Sequence, residues 1–384
     1  MKILLASSSS GSRGGGELYL VYLGRALAQR GHAITLWASA HPRMDELANT
    51  FSGFGEVLRS EYENTYDQRG RSIASYLNFG ASRKVAAEWR AAEPDFVHLN
   101  KQNLEDGLDL LRAARLSGVP NLATIHLSQS ARYLRAKLAW PRDFVARRAL
   151  RRYPGLLVTV LENRQRDLAD FLGDSPRIRM IPNGVPLFDL TRRAAGRAAK
   201  RAELGFAESE QLFIAVGRMM PQKRPLLFLE KARQILQTLP EAKFLWVGDG
   251  ALSGEWDARV AAKGLGHSIR RLPWHNDVQS LLLAADVFMH VADFEGLPLA
   301  ILEAMSAGLP CAITDNLLGE MPFMTAENSI AIGADESWIA QLCDHAPLRA
   351  RGAAARRLAE EKFSFGKMAG SYEALYRETL AARA

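Results

Sequence analysis

Short strand-like segments alternate with helix-like segments along almost the whole chain, and this alternation limits the possible folds more than any other feature. Six strands are expected before residue 185 and six after it. They are Ile3–Ala6, Ile34–Ala38, Phe96–Leu99, Leu122–His126, Leu157–Val160 and Arg179–Ile181, then Leu212–Val216, Phe244–Val247, Ile269–Leu272, Val287–His290, Cys311–Thr314 and Ser329–Ile332. Strands separated by helices form parallel sheets covered on both faces. The sequence therefore predicts an α/β protein with two doubly wound sheets.

The boundary between the two series lies in a segment rich in turn-forming residues. Ile181-Pro-Asn-Gly-Val-Pro186 carries the Pro, Asn and Gly residues that favour turns, and a basic helix-like stretch follows from Arg192 to Leu204. A chain of 384 residues that is 48% hydrophobic is long enough for two full cores. We expect a first domain over residues 1–185, a second over 186–366 and a final helix over 367–384.

Several classes of protein are disfavoured by composition. No run of about 18 apolar residues occurs, and the first residues lead into a serine-glycine loop rather than a signal peptide, so we expect a cytoplasmic protein. The two cysteines, Cys311 and Cys343, have no metal-ligand spacing, and both are expected to be buried thiols.

The net charge of +7 comes from the first half of the chain, where residues 1–184 carry 26 Lys and Arg against 18 Asp and Glu. Eight of these cations lie between Arg132 and Arg152, together with one acid, Asp143, and several aromatic residues. This mixture favours contact with an anionic membrane surface at its inner face, or with an anionic acceptor. A solvated basic surface is the alternative reading.

A pair of glutamates provides the first indication of function. Glu295 precedes a Gly296-Leu297-Pro298 turn, and Glu303 follows eight residues after Glu295 on an expected helix. Backbone N–H groups at such a turn can hold an anion while the carboxylate accepts hydrogen bonds from sugar hydroxyls. Glu303 is then placed to reach a second hydroxyl group, such as a ribose diol.

A glycine-rich loop follows the first strand of the first domain. Gly14, Gly15, Gly16 and Glu17 lead directly into a helix, which lets the backbone approach a phosphate at the helix N-terminus. The G-x-G-x-x-G pattern of a nicotinamide-binding loop is absent, and the second strand ends without an acid. A turn that binds no ligand remains an alternative.

Two cations follow the first strand of the second domain. Arg218 comes directly after Val216-Gly217, and Lys223 stands just before the next helix. Because the chain contains no D-x-D metal motif, these cations are candidates for stabilising a departing diphosphate. At an effective dielectric near 20, a cation about 4 Å from a phosphate oxygen contributes on the order of 4 kcal/mol before desolvation.

Together these motifs resemble those of retaining glycosyltransferase family 4, the glycosyl transferases of group 1. The resemblance rests on the Glu295 to Glu303 spacing, the Gly-Gly-Gly-Glu loop, the Gly-Arg-x4-Lys spacing and a Val-Gly-Asp-Gly loop. It implies that Glu295 binds the donor sugar, Glu303 the ribose, and Arg218 and Lys223 the diphosphate. It further implies roles near the substrate for Gly15, Gly16, Asp249, Gly250, Gly296, Leu297, Pro298 and His126, with His126 at the edge of the sugar.

The same resemblance implies the wider properties of the protein. The expected fold is GT-B, in which two Rossmann-like domains face a central cleft and the last helix returns to the N-terminal, acceptor-side domain. The expected partners are a nucleoside-diphosphate-sugar donor and a glycan or lipid-linked acceptor in cell-surface glycan, glycolipid or polysaccharide synthesis. No metal, cofactor or nucleic acid is expected. His98 is expected either to support the site from behind or to face the acceptor.

Two alternatives share this scaffold. A sugar-nucleotide epimerase would turn over the donor without an acceptor, and a nucleotide-sugar sensor or structural subunit would bind the donor without reaction. A nucleic-acid-binding protein is less favoured because only one basic stretch occurs and no base-reading module is recognisable.

Overall fold

The structure, a computed structural model, describes residues 1–9, 11–173, 177–191 and 193–382, and the chain divides into two compact units. Unit 1 comprises Met1–Gly184 with Phe365–Ala384, and unit 2 comprises Val185–Ser364. Arg192, where the basic helix was expected to begin, and residues 383–384 of the expected last helix lie outside the described residues.

Unit 1 contains a seven-stranded sheet in the order β3-β2-β1-β4-β5-β6-β7, with every pairing parallel. Helices connect the strands because parallel neighbours require crossover connections. The strands are β1 Lys2–Ser7, β2 Ala33–Ser39, β3 Glu56–Ser60, β4 Phe96–Asn103, β5 Asn121–Leu127, β6 Leu156–Thr159 and β7 Ile178–Met180. The helices are α1 Gly15–Gln29, α2 Asp45–Ser52, α3 Arg71–Leu77, α4 Phe79–Ala91, α5 Leu108–Ser117, α6 Ala139–Arg152 and α7 Glu162–Leu172.

Unit 2 contains a six-stranded parallel sheet in the order β10-β9-β8-β11-β12-β13. Its strands are β8 Leu212–Val216, β9 Lys243–Val247, β10 Ile269–Leu272, β11 Val287–His290, β12 Cys311–Thr314 and β13 Ser329–Ile332. Its helices are α8 Arg193–Leu204, α9 Pro225–Thr238, α10 Ser253–Ala262, α11 Val278–Ala284, α12 Leu299–Ser306, α13 Asp315–Leu318 and α14 His345–Lys362. The predicted doubly wound architecture is confirmed in both units.

The sequence prediction missed one strand, β3. This strand lies at the edge of the unit 1 sheet, where it pairs only with β2, and its first four residues are exposed or half-buried. An edge strand buries little apolar surface, so it lacks the hydrophobic run that marks a central parallel strand. The central strand β1 shows the contrast, because five of its six residues are buried.

Each sheet reverses its strand order at one place, between β1 and β4 in unit 1 and between β8 and β11 in unit 2. The loops leaving neighbouring strands diverge at such a point and open a crevice beyond the carboxyl ends of the strands. The glycine-rich loop follows β1, and the Arg218 loop follows β8. The expected functional loops therefore begin at the two switch points.

The last helix, α15 Phe365–Ala381, packs on unit 1 through a buried polar network. The Tyr376 hydroxyl lies 2.6 Å from Nδ1 of His98, and the Thr124 hydroxyl lies 2.8 Å from Nε2 of the same ring. The Tyr372 hydroxyl lies 2.9 Å from that of Thr124. His98 lies on β4 and is fully buried. Its ring joins α15 to Thr124 on β5, so it supports the site and does not face an acceptor.

The expectation of two buried thiols is correct for Cys311 and wrong for Cys343. Cys311 opens β12 inside the unit 2 core, whereas Cys343 is exposed. The difference is one of position, because Cys343 ends a short 3₁₀ helix, Ser337–Leu342, at the surface.

Candidate functional site

Two glycines allow the backbones of the loops that follow β8 and β9 in unit 2 to lie in direct contact. A Cβ on Gly248 would lie 2.3 Å from the carbonyl oxygen of Gly217, and the φ angle of Gly248 is +132°. A Cβ on Gly250 would lie 2.5 Å from the carbonyl oxygen of Met219. Only glycine fits at either position, because the two backbones approach too closely for a side chain. This contact fixes the loop that carries Arg218.

Glu295 lies at the centre of a buried charged cluster. Its Oε1 atom forms an ion pair with Nζ of Lys223 and lies 3.2 Å from Nε2 of His290, the last residue of β11. The loop that bears Glu295 is held by Gln222, whose carbonyl oxygen accepts from the N–H of Asp293 at 2.8 Å and whose side-chain amide donates to the carbonyl oxygen of Phe294 at 2.9 Å. The structure thus brings together two residues that the sequence placed in separate motifs.

The charge state of this cluster follows from its geometry. Burial by itself raises the pKa of Glu295, but the Lys223 ammonium and the hydrogen bond from His290 outweigh burial and hold the pKa at about 2. Burial also lowers the pKa of His290, so His290 is a neutral ring that donates from Nε2 to the carboxylate. Glu295 is therefore ionised at neutral pH and has no proton to give.

The remaining residues of the glutamate motif lie at the start of α12. Gly296, Leu297 and Pro298 are buried in the turn between Glu295 and the helix, and Glu303 is buried two turns further along. Helix α12 is apolar almost throughout because β11 and β12 pack against it, so a buried carboxylate at Glu303 is an exception within its own helix.

Arg218 differs from its neighbours in being exposed. Its guanidinium makes no hydrogen bond or ion pair with the part of the chain that the structure describes. Lys223, in contrast, is engaged by Glu295. The Arg218 guanidinium is therefore available to an anionic ligand without the loss of an internal contact, whereas the Lys223 ammonium is shared with Glu295.

Asp249 and Gly250 have structural partners in the loops of unit 2. One carboxylate oxygen of Asp249 accepts from Arg271 at 3.0 Å, and the other accepts from the backbone N–H of Trp274 at 2.7 Å. Arg271 also pairs with Asp257. These contacts join the loop after β9 to the loop after β10, which includes the Pro273-Trp274-His275 segment.

The glycine-rich loop of unit 1 is shaped by Gln102 on β4. A Cβ on Gly16 would lie 2.2 Å from the Gln102 side-chain nitrogen, which donates to Ser9 at 2.9 Å and to Glu17 at 3.2 Å. No heavy atom of a described residue lies within 4 Å of a Cβ added at Gly15. The backbone at Gly15 is therefore open at the N-terminus of α1, where no side chain provides a cap.

His126 is oriented by Asn100. The Asn100 side-chain nitrogen donates to the carbonyl oxygen of Gly16 at 3.0 Å, so its oxygen faces Nε2 of His126 at 2.7 Å and accepts the imidazole proton. Burial lowers the pKa of His126 to about 4, so the ring is neutral. The structure thus links His126 to the glycine-rich loop through one amide.

Sequence reasoning missed His290, Asn100 and Gln102. All three lie on strands whose register brings them beside a motif: His290 ends β11, and Asn100 and Gln102 lie on β4 next to β1. For His290 the available signal was the reversal of strand order expected in a doubly wound sheet, which places the fourth strand beside the first. In unit 1 the missed strand β3 concealed the same relation for Asn100 and Gln102.

Two absences among the described residues concern metal binding and membrane spanning. The described residues contain no group of three or more His, Cys, Asp or Glu side chains arranged to hold a metal ion. Among the same residues, no helix is both long enough and apolar enough to cross a bilayer.

Two family models match successive parts of the chain. The model described as Glycosyltransferase Family 4 matches residues 13–187, and the model described as Glycosyl transferases group 1 matches residues 196–330. The first includes the glycine-rich loop and His126, and the second includes Arg218, Lys223, Asp249, Glu295 and Glu303.

Several relatives have assigned activities. The UDP-Gal:alpha-D-GlcNAc-diphosphoundecaprenol alpha-1,3-galactosyltransferase of Escherichia coli is 35% identical over 229 residues, which are 58% of this chain and 58% of that protein. The D-inositol 3-phosphate glycosyltransferase of Kineococcus radiotolerans is 26% identical over 380 residues, which are 93% of this chain and 85% of that protein. For the first relatives the matched part spans only 58%, 37% and 49% of their own lengths.

Solved structures reveal the same fold over the whole chain. Anabaena HepE in complex with UDP and glucose has a TM-score of 0.77 at 18% identity, covering 98% of this chain and 99% of that one. Sucrose-phosphate synthase from Thermosynechococcus elongatus has a TM-score of 0.75 at 18% identity, covering 100% of both chains. At this identity the likeness establishes the GT-B fold. With both family models matched in order along this fold, the chain belongs to the group 1, family 4 glycosyltransferases.

Proposed function

We propose that this protein is a glycosyltransferase that moves a sugar from a nucleoside-diphosphate sugar to an acceptor hydroxyl in the synthesis of a cell-surface glycan, glycolipid or polysaccharide. The observation that carries the proposal is the buried Lys223–Glu295–His290 cluster at the switch point of unit 2, inside the segment matched by the group 1 model. A charged cluster at that point of a doubly wound sheet is placed to bind a ligand.

The donor is proposed to be a uridine diphosphate sugar. The support comes from relatives, since the Escherichia coli enzyme is named for UDP-Gal and HepE was solved with UDP and with UDP-glucose. In this proposal Glu303 binds the ribose, Asp249 and Gly250 keep the loops near the nucleotide in place, and the Gly296-Leu297-Pro298 turn lies beside the donor sugar.

The proposed reaction retains the configuration of the sugar and needs no metal or cofactor. The bond from the anomeric carbon to the diphosphate oxygen breaks, a bond to the acceptor oxygen forms on the same face, and the acceptor proton passes to the departing phosphate. Because Glu295 is ionised, it accepts hydrogen bonds from sugar hydroxyls and does not act as an acid. Arg218 and Lys223 offset the charge that develops on the diphosphate.

Unit 1 supplies the remaining contacts in this proposal. The open backbone at Gly15, together with the adjacent N–H of Gly16, approaches the donor phosphates at the N-terminus of α1. His126 has its Nε2 proton committed to Asn100, so its Nδ1 atom is a hydrogen-bond acceptor for a hydroxyl of the sugar.

The test is a donor screen with the purified chain in EDTA. Thermal shift and nucleotide release are measured with UDP-, GDP- and ADP-sugars for the wild type, Glu295→Gln and, as matched control, the exposed Glu241→Gln. We expect a UDP-sugar to stabilise all three proteins and to release nucleotide with the wild type and the control alone. The product sugar should keep its anomeric configuration by NMR.

Other outcomes would favour the alternatives. Conversion of the donor to an isomeric sugar nucleotide without an acceptor would identify an epimerase. Donor binding with no turnover in any acceptor mixture would favour a sensor or structural subunit. Turnover that stops in EDTA and returns with a divalent cation would refute metal independence.

We further propose that the basic segment Arg132–Arg152 contacts an anionic lipid surface. It exposes several large apolar side chains, with Tyr133 at 66%, Leu138 and Trp140 at 71% and Phe144 at 65% exposure. Arg132 lies over the Trp140 ring at 4.0 Å. Aromatic and basic side chains presented together suit the interface of an anionic bilayer.

Two of the eight cations of this segment already have partners within unit 1 and are left out of the test. Arg142 is paired with Glu105, and Arg151 donates to the carbonyl oxygen of Leu172, so both are engaged within unit 1. We expect flotation with phosphatidylglycerol vesicles to fall at least tenfold when Arg132, Arg135, Arg147 and Arg148 are changed to Gln. The matched control changes four exposed arginines elsewhere, Arg69, Arg83, Arg233 and Arg349. Equal flotation of the two variants would refute the membrane contact.

A further inference from the structure

Unit 1 contains a fully buried carboxylate that the proposed reaction does not use. Asp106 lies in the turn between β4 and α5. Its Oδ2 atom accepts a hydrogen bond from the Ser8 hydroxyl and another, at 3.2 Å, from the backbone N–H of Gln102. Burying a carboxylate costs free energy unless the charge has partners, so these two partners indicate what Asp106 does.

Both partners belong to the surroundings of the glycine-rich loop. Ser8 directly follows β1 and begins the segment that leads to α1. Gln102 lies on β4, and its side-chain amide donates to Ser9 at 2.9 Å and to Glu17 at 3.2 Å. Asp106 therefore contacts the start of the loop directly, and it is linked through Gln102 to the end of the loop at α1.

The hydrogen bonds of Ser8 show why a carboxylate is needed beside it. The Ser8 hydroxyl has one proton and two acceptors within reach, the Asp106 carboxylate and, at 2.8 Å, the carbonyl oxygen of Asn100. An ionised carboxylate is the stronger acceptor and takes the proton. The same carbonyl oxygen accepts from the N–H of Ser8 at 3.2 Å. Ser8 is thus held through both its side chain and its backbone.

The turn that carries Asp106 also packs closely on Ser8. A Cβ added at Gly107, whose φ angle is +57°, would lie 3.1 Å from Cβ of Ser8. Glycine suits this position because it accepts a positive φ angle and leaves room for Ser8. The turn and the start of the loop are therefore in van der Waals contact as well as hydrogen-bonded.

Lys101 supplies positive charge close to Asp106. Lys101 is fully buried on β4, and burial lowers the pKa of its ammonium to about 8, although Asp106, Asp109 and Glu105 oppose this shift. Burial raises the pKa of Asp106, and the Lys101 ammonium is the largest influence in the other direction. At neutral pH the ammonium is charged and favours the ionised form of Asp106.

A second buried aspartate lies three residues further along and provides a comparison. Asp109, in the first turn of α5, is also fully buried and also faces the charge of Lys101. Its carboxylate accepts from the Tyr62 hydroxyl at 2.9 Å, which leads to the segment after β3. The two aspartates therefore share burial and countercharge, and they differ in that Asp106 contacts the glycine-rich loop.

We propose that Asp106 is a positioning residue of the glycine-rich loop, acting through Ser8 and Gln102, with Lys101 as its countercharge. The consequence for turnover rests on the proposed transferase function, whereas the position of the loop can be measured without a substrate. In that function the loop approaches the donor phosphates, and unit 2 binds the nucleotide. Displacing the loop should therefore slow the reaction more than it weakens donor binding.

The first measurement follows the loop in the full chain without a ligand. Hydrogen exchange detected by mass spectrometry compares the peptide of residues 7–18 in the wild type, Asp106→Asn and the matched control Asp109→Asn. We expect Asp106→Asn to speed exchange of the protected amides at least fivefold, because a neutral amide is a weaker acceptor. Asp109→Asn should leave this peptide within twofold of the wild type. The peptide of residues 299–306 in unit 2 should be unchanged in both variants.

A variant of Ser8 tests the route and remains informative if Asp106→Asn does not fold. Ser8→Ala should by itself speed exchange of the same peptide at least threefold. In the Ser8→Ala background, Asp106→Asn should add less than it does in the wild type, because the two changes remove the same hydrogen bond. Unchanged exchange in Ser8→Ala, or full additivity of the two changes, would overturn the proposal.

The second measurement is nucleotide release from the UDP-sugar that the wild type turns over. We expect Asp106→Asn to lower kcat at least tenfold and to change the donor KM less than threefold, with both constants within threefold in Asp109→Asn. If the wild type turns over no donor, the proposed function fails and the exchange result still decides the positioning. The proposal is overturned if Asp106→Asn exchanges like the wild type, if Asp109→Asn exchanges as fast as Asp106→Asn, or if kcat is unchanged.

Discussion

At the scale of single residues, the environment of Glu295 decides what this carboxylate can do. Burial would favour its protonated form, and the Lys223 ammonium and the His290 donor reverse that preference. Removing Lys223 would leave Glu295 as an uncompensated buried charge, whereas the Lys223 ammonium is partly exposed and would gain contact with water. The pair is therefore held together by electrostatics even though each member is proposed to contact the substrate.

The depressed pKa of Glu295 predicts a loss of stability in acid. The pKa of Glu295 is about 2 in the folded protein, against an ordinary 4.5. The ionised carboxylate therefore stabilises the fold fully above about pH 5, and this contribution is lost as the pH falls from about 5 to about 2. We expect the wild type to lose about 2 kcal/mol more than Glu295→Gln between pH 6 and pH 3. Urea unfolding at the two pH values measures the difference.

Removing Lys223 provides the complementary experiment. In Lys223→Met the burial of Glu295 is no longer offset by the ammonium, so its pKa should rise and the acid-dependent loss should shrink or change sign. Equal losses in the wild type, Glu295→Gln and Lys223→Met would contradict the assigned role of the ion pair.

At the scale of elements, the N-terminus of α1 depends on two neighbouring glycines with different surroundings. Gly16 faces the amide of Gln102, and Gly15 faces no described atom within 4 Å of an added Cβ. The end of the Gln102 side chain can swing aside, so an added methyl group at Gly16 costs mainly the hydrogen bonds from Gln102 to Ser9 and Glu17.

These surroundings predict opposite effects of alanine. Gly16→Ala should lower the free energy of unfolding by about 1 kcal/mol through lost hydrogen bonds. Gly15→Ala should leave it equal or raise it by up to about 1 kcal/mol, because alanine is the better helix former. Thermal and urea unfolding compare the two variants. In a Gln102→Ala background the cost of Gly16→Ala should vanish, and a persisting cost would contradict this explanation.

The contact between α15 and β4 gives a second prediction for an element. Tyr376→Phe leaves Nδ1 of the buried His98 without its partner, so we expect a loss of about 1–3 kcal/mol. The exposed Tyr133→Phe is the matched control and should be neutral within about 0.5 kcal/mol. Urea unfolding measures the free energy of unfolding of both variants. A Tyr376→Phe variant as stable as the control would show that the bond from Tyr376 to His98 does not stabilise the packing of α15 on unit 1.

At the scale of the whole molecule, the two units differ in how the chain builds them. Unit 2 is one continuous segment with its own sheet and core, whereas unit 1 combines two separated segments. The backbone N–H of Gly184 lies 3.1 Å from Sδ of Met368, so the two segments of unit 1 meet where unit 2 is inserted.

This organisation predicts how fragments behave. Residues 185–364 produced alone should unfold cooperatively in urea. Residues 1–184 alone should be markedly less stable than residues 1–184 joined to 365–384 by a short glycine-serine linker, because only the linked form keeps Tyr372 and Tyr376 against His98 and Thr124. Circular dichroism during urea titration compares the three fragments. Equal stability of the two unit 1 fragments would contradict the role given to α15.

Short apolar runs in the sequence were sufficient to predict most of the strands. Central parallel strands are buried on both faces, so they carry continuous apolar runs. Twelve of the thirteen strands of the described chain were predicted from such runs, and the exception, β3, is an edge strand with little apolar surface. The glycine and glutamate motifs were equally visible, since their residues are close together in sequence.

What the sequence determined by itself was therefore the fold class, the two series of strands and the loops that carry the candidate site. The tertiary structure alone decided the partners: His290 beside Glu295, Asn100 beside His126, Gln102 against Gly16, and Asp106 beside Ser8. These pairings follow from strand order and register, which bring together residues far apart in the chain and leave no periodic signal in the sequence.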